Sequence, residues 1–494
     1  MADAILAIDQ GTTGSTALVV RFESSGTQLV GRGYAEFAQH FPKPGWVEHE
    51  LDEIWDSVRI ACLAALEDAG IDGRDLIAVG ITNQRETTGV WSPEGEALHR
   101  AIVWQDRRTA PRTDALKAAG HETMLRSKTG LVADPYFSGT KLAWLLDEVP
   151  GLREKAKAGR ARFGTVDSWL IAKLTGGAHV TDVTNASRTL MFDIHERRWD
   201  RELLEILGGI PESMLPEVRP SSALFGETQG VDFLPDGIPI AGVAGDQHAA
   251  TFGQGCFEVG MAKCTYGTGA FALVNVGDRA VESKNGLLST IAWQIGDEVT
   301  YALEGAVFVA GAIVQWLRDE MRFFESSSEI EALAAEVEDT EGVYLVPALT
   351  GLGAPHWRPE ARGILSGLTR GSTRAHIARA ALEGIAYQVN DLLTAMNSDR
   401  GGEITVLRVD GGASANDLLM QFQTDLLQVE CHRPTILDTT ALGAAYLAAL
   451  QVGVFSGLED ITKSWSMERR FEPQMDKGAL SERIAGWHRA VAKA

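Results

Sequence analysis

Twice in this chain, a strand-like run of apolar residues enters a turn of glycine and threonine and leaves it as a second strand. The first instance is LAIDQGTTGSTALVV, from Leu6 to Val20: three apolar residues, Asp9, a small hydroxylated turn, then Ala17 to Val20. The second is CTYGTGAFALVNV, from Cys264 to Val276. Such a turn frees backbone N–H groups and hydroxyls to converge on one concavity, where they can cradle phosphate. An aspartate closing the first strand suits Mg²⁺, which prefers carboxylates together with phosphate oxygens and water. One copy alone reads equally well as a tight hairpin. Two copies, one in each half, point to a nucleotide held in a cleft between two α/β units.

The pattern along the chain supports that division. In the first half, the strands ILAID, ALVVRF and DLIAVGIT alternate with an amphipathic helix over Leu51 to Leu66. The second half has the hairpin at Cys264 to Val276, TYALEGA as a strand and turn, a helix near Val307 to Leu317, and VYLVPAL. A long helix starts at Ser372, where Ile377, Ala381, Ile385 and Val389 recur every four residues as one apolar stripe. ITVLRVDGG is the next strand, followed by helices over Ala415 to Val429 and Ala441 to Leu450, the latter the last core helix. Hairpin strands followed by strand–helix units in each half give an α/β reading twice over. The boundary is placed between Gln247 and Gly255, dividing the chain into domains 1–250 and 251–494.

A chain of 494 residues exceeds one compact core and fits two or three domains. With 45 basic and 67 acidic residues the net charge is −22, which disfavours a nucleic-acid partner but leaves a metal-bound nucleotide open. The longest apolar run, GAVFVAGAIVQWL, is broken by Gln315 and too short for a membrane span. The first strand begins at once, leaving no room for a signal peptide. Cys62, Cys256, Cys264 and Cys431 are scattered without a CxxC pair, and fit free thiols in a reducing cytoplasm.

A third glycine-rich turn, Asp410 to Ser414, ends a strand and starts a helix; Gly411 and Gly412 permit close approach of a flat ring, and Asn416 offers polar contacts. None of the three turns is followed by GKS or GKT, and none reads GxGxxG. A further group is polar where a core would be apolar: Arg85 and Glu86 in ITNQRETTGVW, Trp104 and Asp106 in IVWQDRRT, Tyr136 in DPYFSGTK, and Asp246 and Gln247 beside Gly245 in AGDQHAA. Strand ends are where α/β domains bind ligands. An arginine, carboxylates, an amide and a phenol suit several hydroxyls at once, while Trp104 and Phe271 can cover a carbon backbone. That describes a sugar or polyol.

DQGTTGST, PKPGWVEH, GITNQRETT, VWQDRRT, PYFSGTKLAWLL, AGDQHAA, TYGTGAF and DGGASAND, in this order from about Ile5 to Leu450, resemble the FGGY carbohydrate kinases, their glycerol-phosphorylating members most closely. The resemblance implies the actin-like ATPase fold, two ribonuclease-H-like domains around a central cleft, and Mg-ATP-dependent phosphorylation of glycerol. It implies that Thr12, Thr13 and Ser15 form the first phosphate turn and Gly267 with Thr268 the second. Gly311 and Gln315 match positions near the nucleotide, and Gly412 and Asn416 match the adenine side. Arg85, Glu86, Tyr136, Asp246 and Gln247 match glycerol ligands, with Trp104 and Phe271 as the apolar wall. Asp246 matches the catalytic base, and Asp9 and Asp246 the carboxylates near Mg²⁺. The family's members are usually dimers or tetramers, so a homo-oligomer is expected, with no membrane insertion.

Three departures accompany the resemblance. Thr16 stands where many members have an arginine reaching the phosphates, which shifts neutralisation towards the metal. His356 replaces a common tyrosine. FGETQGVDFLPDGIP lacks the glycine-rich basic loop that binds fructose 1,6-bisphosphate in some members, so no inhibition by that sugar is expected, and the phosphorelay histidine of some members has no counterpart. Two alternatives stand beside a glycerol-directed reaction: a kinase for erythritol or threitol, and a nucleotide-gated module of the same fold without enzyme activity.

Overall fold

The computed structural model describes residues 4–23 and 26–494. One thirteen-stranded sheet runs through it, and the same arrangement occurs in it twice. In the first half, β1 (Ala4–Gln10), β2 (Gly14–Glu23) and β3 (Gly26–Glu36) form an antiparallel meander, while β4 (Leu76–Asn83) and then β5 (Pro239–Gly245) extend it in parallel from β1. In the second half, β6 (Met261–Tyr266), β7 (Ala270–Gly277) and β8 (Glu298–Val307) form the meander. There β9 (Val406–Asp410) and β10 (Cys431–Pro434) supply the parallel extension from β6. The halves meet where Ser222 pairs with Ile295.

The helices follow from apolar spacing. α1 (Leu51–Ala69) buries Leu51, Ile54, Val58, Ala61, Cys62, Ala65 and Leu66, a single stripe set against the strands of the first half. The insertion between β4 and β5 carries three strands of a four-stranded sheet, completed by Glu48–His49 from just before α1, and a separate helical core that includes α2 (Ser138–Glu148). α3 (Asp246–Gly253) leaves β5 directly, and α4 (Gly311–Asp319) follows β8. In the second half, α5 (Arg374–Arg400) and α6 (Asp417–Leu427) flank β9, and α7 (Thr439–Gln451) follows β10. No helix among the described residues is long and apolar enough to cross a membrane.

Two elements differ from expectation. TYALEGA is strand throughout, with no turn: β8 continues to Val307, and Gly305 is there because a Cβ at that position would lie 2.3 Å from Leu392 of α5. The glycine answers a packing constraint, and Glu304 therefore sits inside a sheet. The helix expected as the last core helix, α7, is not the last: a further helix over Lys477–Val491 buries Leu480, Trp487, Ala490 and Val491 in the core of the second half, while α7 packs on β4 and β5 of the first half and crosses α3. A Cβ on Gly443 would stand 1.8 Å from the Ala249 carbonyl, so the two helices touch backbone to backbone. His356, the departure at a tyrosine position, lies 2.9 Å from Asp391 of α5, a buried carboxylate that also accepts from the Trp487 indole at 2.7 Å. It ties the 353–357 loop to the core of the second half.

Candidate active site

Register brings the polar strand ends together. Asp9 pairs with Thr82 and Gln10 with Asn83 across β1 and β4, while Asn83 pairs with Gly245 across β4 and β5. Arg85 and Glu86 therefore emerge beside Asp246, the first residue of α3. Glu86 has φ 61°, a left-handed conformation that costs a non-glycine residue about 1–2 kcal/mol. Its carbonyl is held by the hydroxyls of Thr88 and Ser138, each at 3.0 Å. Strain fixed this way aims a side chain.

Four buried charges alternate in sign here. Arg85 forks onto Glu304 at 2.5 and 2.9 Å, and Arg188 reaches Glu304 at 3.1 Å and Glu86 at 2.7 Å. All four side chains are at most 3% exposed. Burial pushes the Glu304 carboxyl up, but Arg188 and Arg85 outweigh it and hold Glu304 well below the usual carboxylate range. For Glu86, burial wins over the two arginines and the carboxyl is raised. One Glu86 oxygen takes the Arg188 hydrogen bond, leaving the other to accept from a ligand. Arg85 also touches Asp246, Nε to Oδ1 at 3.0 Å.

Around this cluster stand Tyr136 and Trp104, edge to face with ring centroids 5.7 Å apart. Burial drives the Tyr136 phenol well above its ordinary value, so it remains a donor at any physiological pH. Lys141 on α2, fully buried, donates to the carbonyls of Pro135 and Tyr136 at 2.6 and 2.5 Å and fixes the turn that carries the phenol. The Trp104 indole donates to the Thr12 hydroxyl at 2.9 Å, so this residue joins the aromatic pair to the first glycine–threonine turn. Phe271 lies on β7 between Thr265 and Ala306, partly buried.

At the first turn, Thr12 is half-buried and Thr13 exposed, but Ser15 is not with them. Its hydroxyl is fully buried and shares a 2.8 Å hydrogen bond with Ser57 of α1. Strand parity explains the difference: Ser15 shares its face of β2 with Ala17 and Val19, which pack on α1. Asp9 is pushed up to about 7, first by burial and then by the fields of Asp246 and Asp438. Thr16, the departure from arginine, is the β2 partner of Asp9.

The second turn belongs to a cavity of about 490 Å³ lined by Gly267, Thr268, Gly311, Gln315, Gly412 and Asn416 together with Tyr266, Leu382 and Leu419. Of the nine residues that the resemblance assigns to the nucleotide, the six of the second half thus come together, while Thr12, Thr13 and Ser15 do not line this cavity. A Cβ on Gly311 would approach the Gly267 carbonyl to 2.7 Å, so the N-terminus of α4 lies directly on the turn. The Asn416 side-chain oxygen caps α6 by accepting from Leu419 N at 2.9 Å, leaving its NH₂ for a ligand.

Arg188, Glu304, Lys141 and Lys263 were not read from sequence. Lys263, on β6 and fully buried, donates to the Gln247 amide oxygen and, at 2.8 Å, to the Thr265 hydroxyl. The one available signal was a charged residue inside an apolar run, as in TYALEGAVF and GMAKCTY.

Residues 4–253 match the FGGY family of carbohydrate kinases, N-terminal domain, and residues 262–452 match the C-terminal domain. The chain is 57% identical over 492 residues to a glycerol kinase of Burkholderia ambifaria, covering 99% of this chain and 97% of that protein. It is 58% identical over the same length, with the same coverage, to a glycerol kinase of Deinococcus radiodurans. Among solved structures, Plasmodium falciparum glycerol kinase with ADP superposes with a TM-score of 0.93 at 36% identity, covering 100% of this chain and 98% of that one.

Proposed function

Because the chain belongs to the FGGY family of carbohydrate kinases, we propose that its cleft transfers the terminal phosphoryl group of ATP to glycerol, giving sn-glycerol 3-phosphate and ADP. The observation that carries this reading is the Arg85–Asp246 contact of 3.0 Å at the start of α3, set among Glu86, Tyr136 and Gln247. Phosphoryl transfer passes through a loose transition state, so catalysis consists of alignment and charge neutralisation. In this reading Asp246 orients one terminal hydroxyl and takes its proton as the O–P bond forms. Arg85, Glu86, Tyr136 and Gln247 hold the remaining hydroxyls, and Trp104 and Phe271 cover the carbon chain. The Gly267 N–H closes the second turn onto the Gly269 carbonyl at 2.8 Å, so the Thr268 N–H and those of the Thr12–Thr13 turn are the donors for the phosphates, with Gly311 and Gln315 beside the nucleotide and Gly412 and Asn416 at the base. Fixing both reactants this way supplies on the order of 7–11 kcal/mol of the barrier.

Asp9 and Asp246 are the residues that would hold Mg²⁺: burial and then the field of Asp246 lift the Asp9 carboxyl to about 7, and a cation's charge would favour its ionised form. When bound, the ion neutralises phosphate charge. Residues 1–250 supply the polyol site and part of the phosphate site, and residues 251–494 the nucleotide site. The four cysteines are buried free thiols, which supports a reducing, cytoplasmic setting; the family likeness alone supports a homo-oligomer.

The test is ADP release with Mg-ATP and glycerol, erythritol, threitol, xylulose or no acceptor. Rapid turnover with glycerol alone is expected. Preference for a four-carbon polyol keeps the chemistry and changes the substrate, whereas one slow rate with every acceptor marks a nucleotide-gated switch.

A further inference from the structure

Gln247 sits where the cleft meets the second half of the molecule, and its functional groups are not equally free. Its backbone N–H is already given to Asp246 Oδ1 at 2.6 Å. Its amide oxygen accepts from Lys263 Nζ. A lysine offers only N–H donors, so the oxygen, and not the NH₂, must face it. Among the described residues no protein group accepts from Gln247 Nε2. The lysine itself cannot turn elsewhere: it is fully buried on β6, and its other partner is the Thr265 hydroxyl at 2.8 Å, two residues before the second glycine turn.

Resting on the polyol reading above, we propose that Lys263 is a positioning residue that locks the Gln247 amide with its NH₂ towards the polyol, making Gln247 a hydrogen-bond donor to one substrate hydroxyl. Without the lysine, the amide is free to rotate by half a turn and present its oxygen. The donor set of Arg85 and Tyr136 then loses a member, and a hydroxyl that had been given an N–H meets an acceptor. Because Lys263 stands on the strand leading to the nucleotide turn, one side chain reports the placement of β6 to the polyol side.

Three variants test this by steady-state kinetics with glycerol and ATP varied separately. Lys263→Met is expected to raise the glycerol KM about tenfold, the scale of one hydrogen bond, while the ATP KM stays within about twofold. Lys263→Gln, which restores an N–H facing the Gln247 oxygen, is expected to recover most of the loss. In a Gln247→Ala background, Lys263→Met is expected to add nothing to the glycerol KM, since the two act as one unit. Equal rises in both KM values, or full additivity in the double variant, overturn the assignment of Lys263 and leave the polyol reading intact. A Gln247→Ala enzyme with unchanged glycerol KM overturns both. Gln247→Glu keeps Lys263 paired but removes the only free N–H, so it must match the Gln247→Ala loss; wild-type glycerol affinity in that variant refutes the donor role even if Lys263→Met does not fold.

Discussion

Asp9→Asn is expected to make the ligand-free protein more stable and at the same time inactive. The Asp9 carboxyl is displaced from 3.8 to about 7, chiefly by burial, with Asp246 and Asp438 adding to it. At about 1.4 kcal/mol for each tenfold change in proton affinity, ionised Asp9 withholds up to about 4 kcal/mol from the folded state. The sign follows from the direction. A raised folded value means that the protonated form is preferred in the folded chain, so wild-type stability is complete below about pH 4 and declines as pH rises through 7. Asparagine keeps the shape and removes the charge. The variant should therefore match wild type near pH 4 and exceed it at pH 8. If the whole chain melts as one unit, its unfolding entropy is about 1 kcal/mol per degree, which turns 4 kcal/mol into a Tm gain of about 4 °C. The assay is thermal unfolding at both pH values without nucleotide or metal, followed by titration of Mg²⁺ with ATP, which should raise Tm in wild type more than in the variant. An Asp9→Asn protein no more stable than wild type at pH 8 refutes the claim that the ligand-free fold holds ionised Asp9 at a cost, chiefly of burial.

Asp246→Asn is expected to keep ATP binding and lose at least about a hundredfold in kcat, the scale of a general base; near-normal turnover removes Asp246 from the chemistry. Glu304→Gln strips Arg85 and Arg188 of their shared counter-ion and should cost about 3–5 kcal/mol of stability, with a glycerol KM at least about tenfold higher and an unchanged ATP KM; a wild-type melting curve contradicts the role given to the charge cluster. Gly311→Val places a side chain against the Gly267 carbonyl, 2.7 Å from its Cβ, and should raise the ATP KM by at least about tenfold while leaving glycerol affinity alone. Parallel loss of both affinities shows that the cavity and the polyol site are not separable.

The strand ends were legible because turn chemistry is local. Glycines and threonines after an apolar run, or NQRETT after GIT, declare themselves within a few residues, and register then sets Asp9, Arg85 and Asp246 side by side. What escaped was whatever depended on a partner far along the chain. Glu304 is 219 residues from Arg85, its ion-pair partner, and in isolation reads as one solvated residue of an alternating strand. Gly305 read as a turn because the helix that crowds it lies some 90 residues on. The resemblance groups Ser15 with Thr12 and Thr13, although the period of two along β2 sets its side chain on the α1 face with Ala17 and Val19. α7 showed small residues on several faces, a sign of close packing that carries no information about which half it packs on.

The placement of these long-range partners has a consequence for how the two substrates are bound. Every residue lining the cavity proposed for the nucleotide, from Tyr266 to Leu419, belongs to the second half. The cluster proposed for the polyol is different: Arg85 and Arg188 come from the first half but share Glu304 of the second as counter-ion, and Gln247 is fixed by Lys263 from β6. Taking such charges out of water costs several kcal/mol for each ion, a cost offset only while the opposite charges stay in place. The polyol side is therefore organised by contact between the halves before any ligand arrives. A substitution in the cavity can weaken nucleotide binding alone, whereas loosening the junction between the halves must disorder the polyol site first.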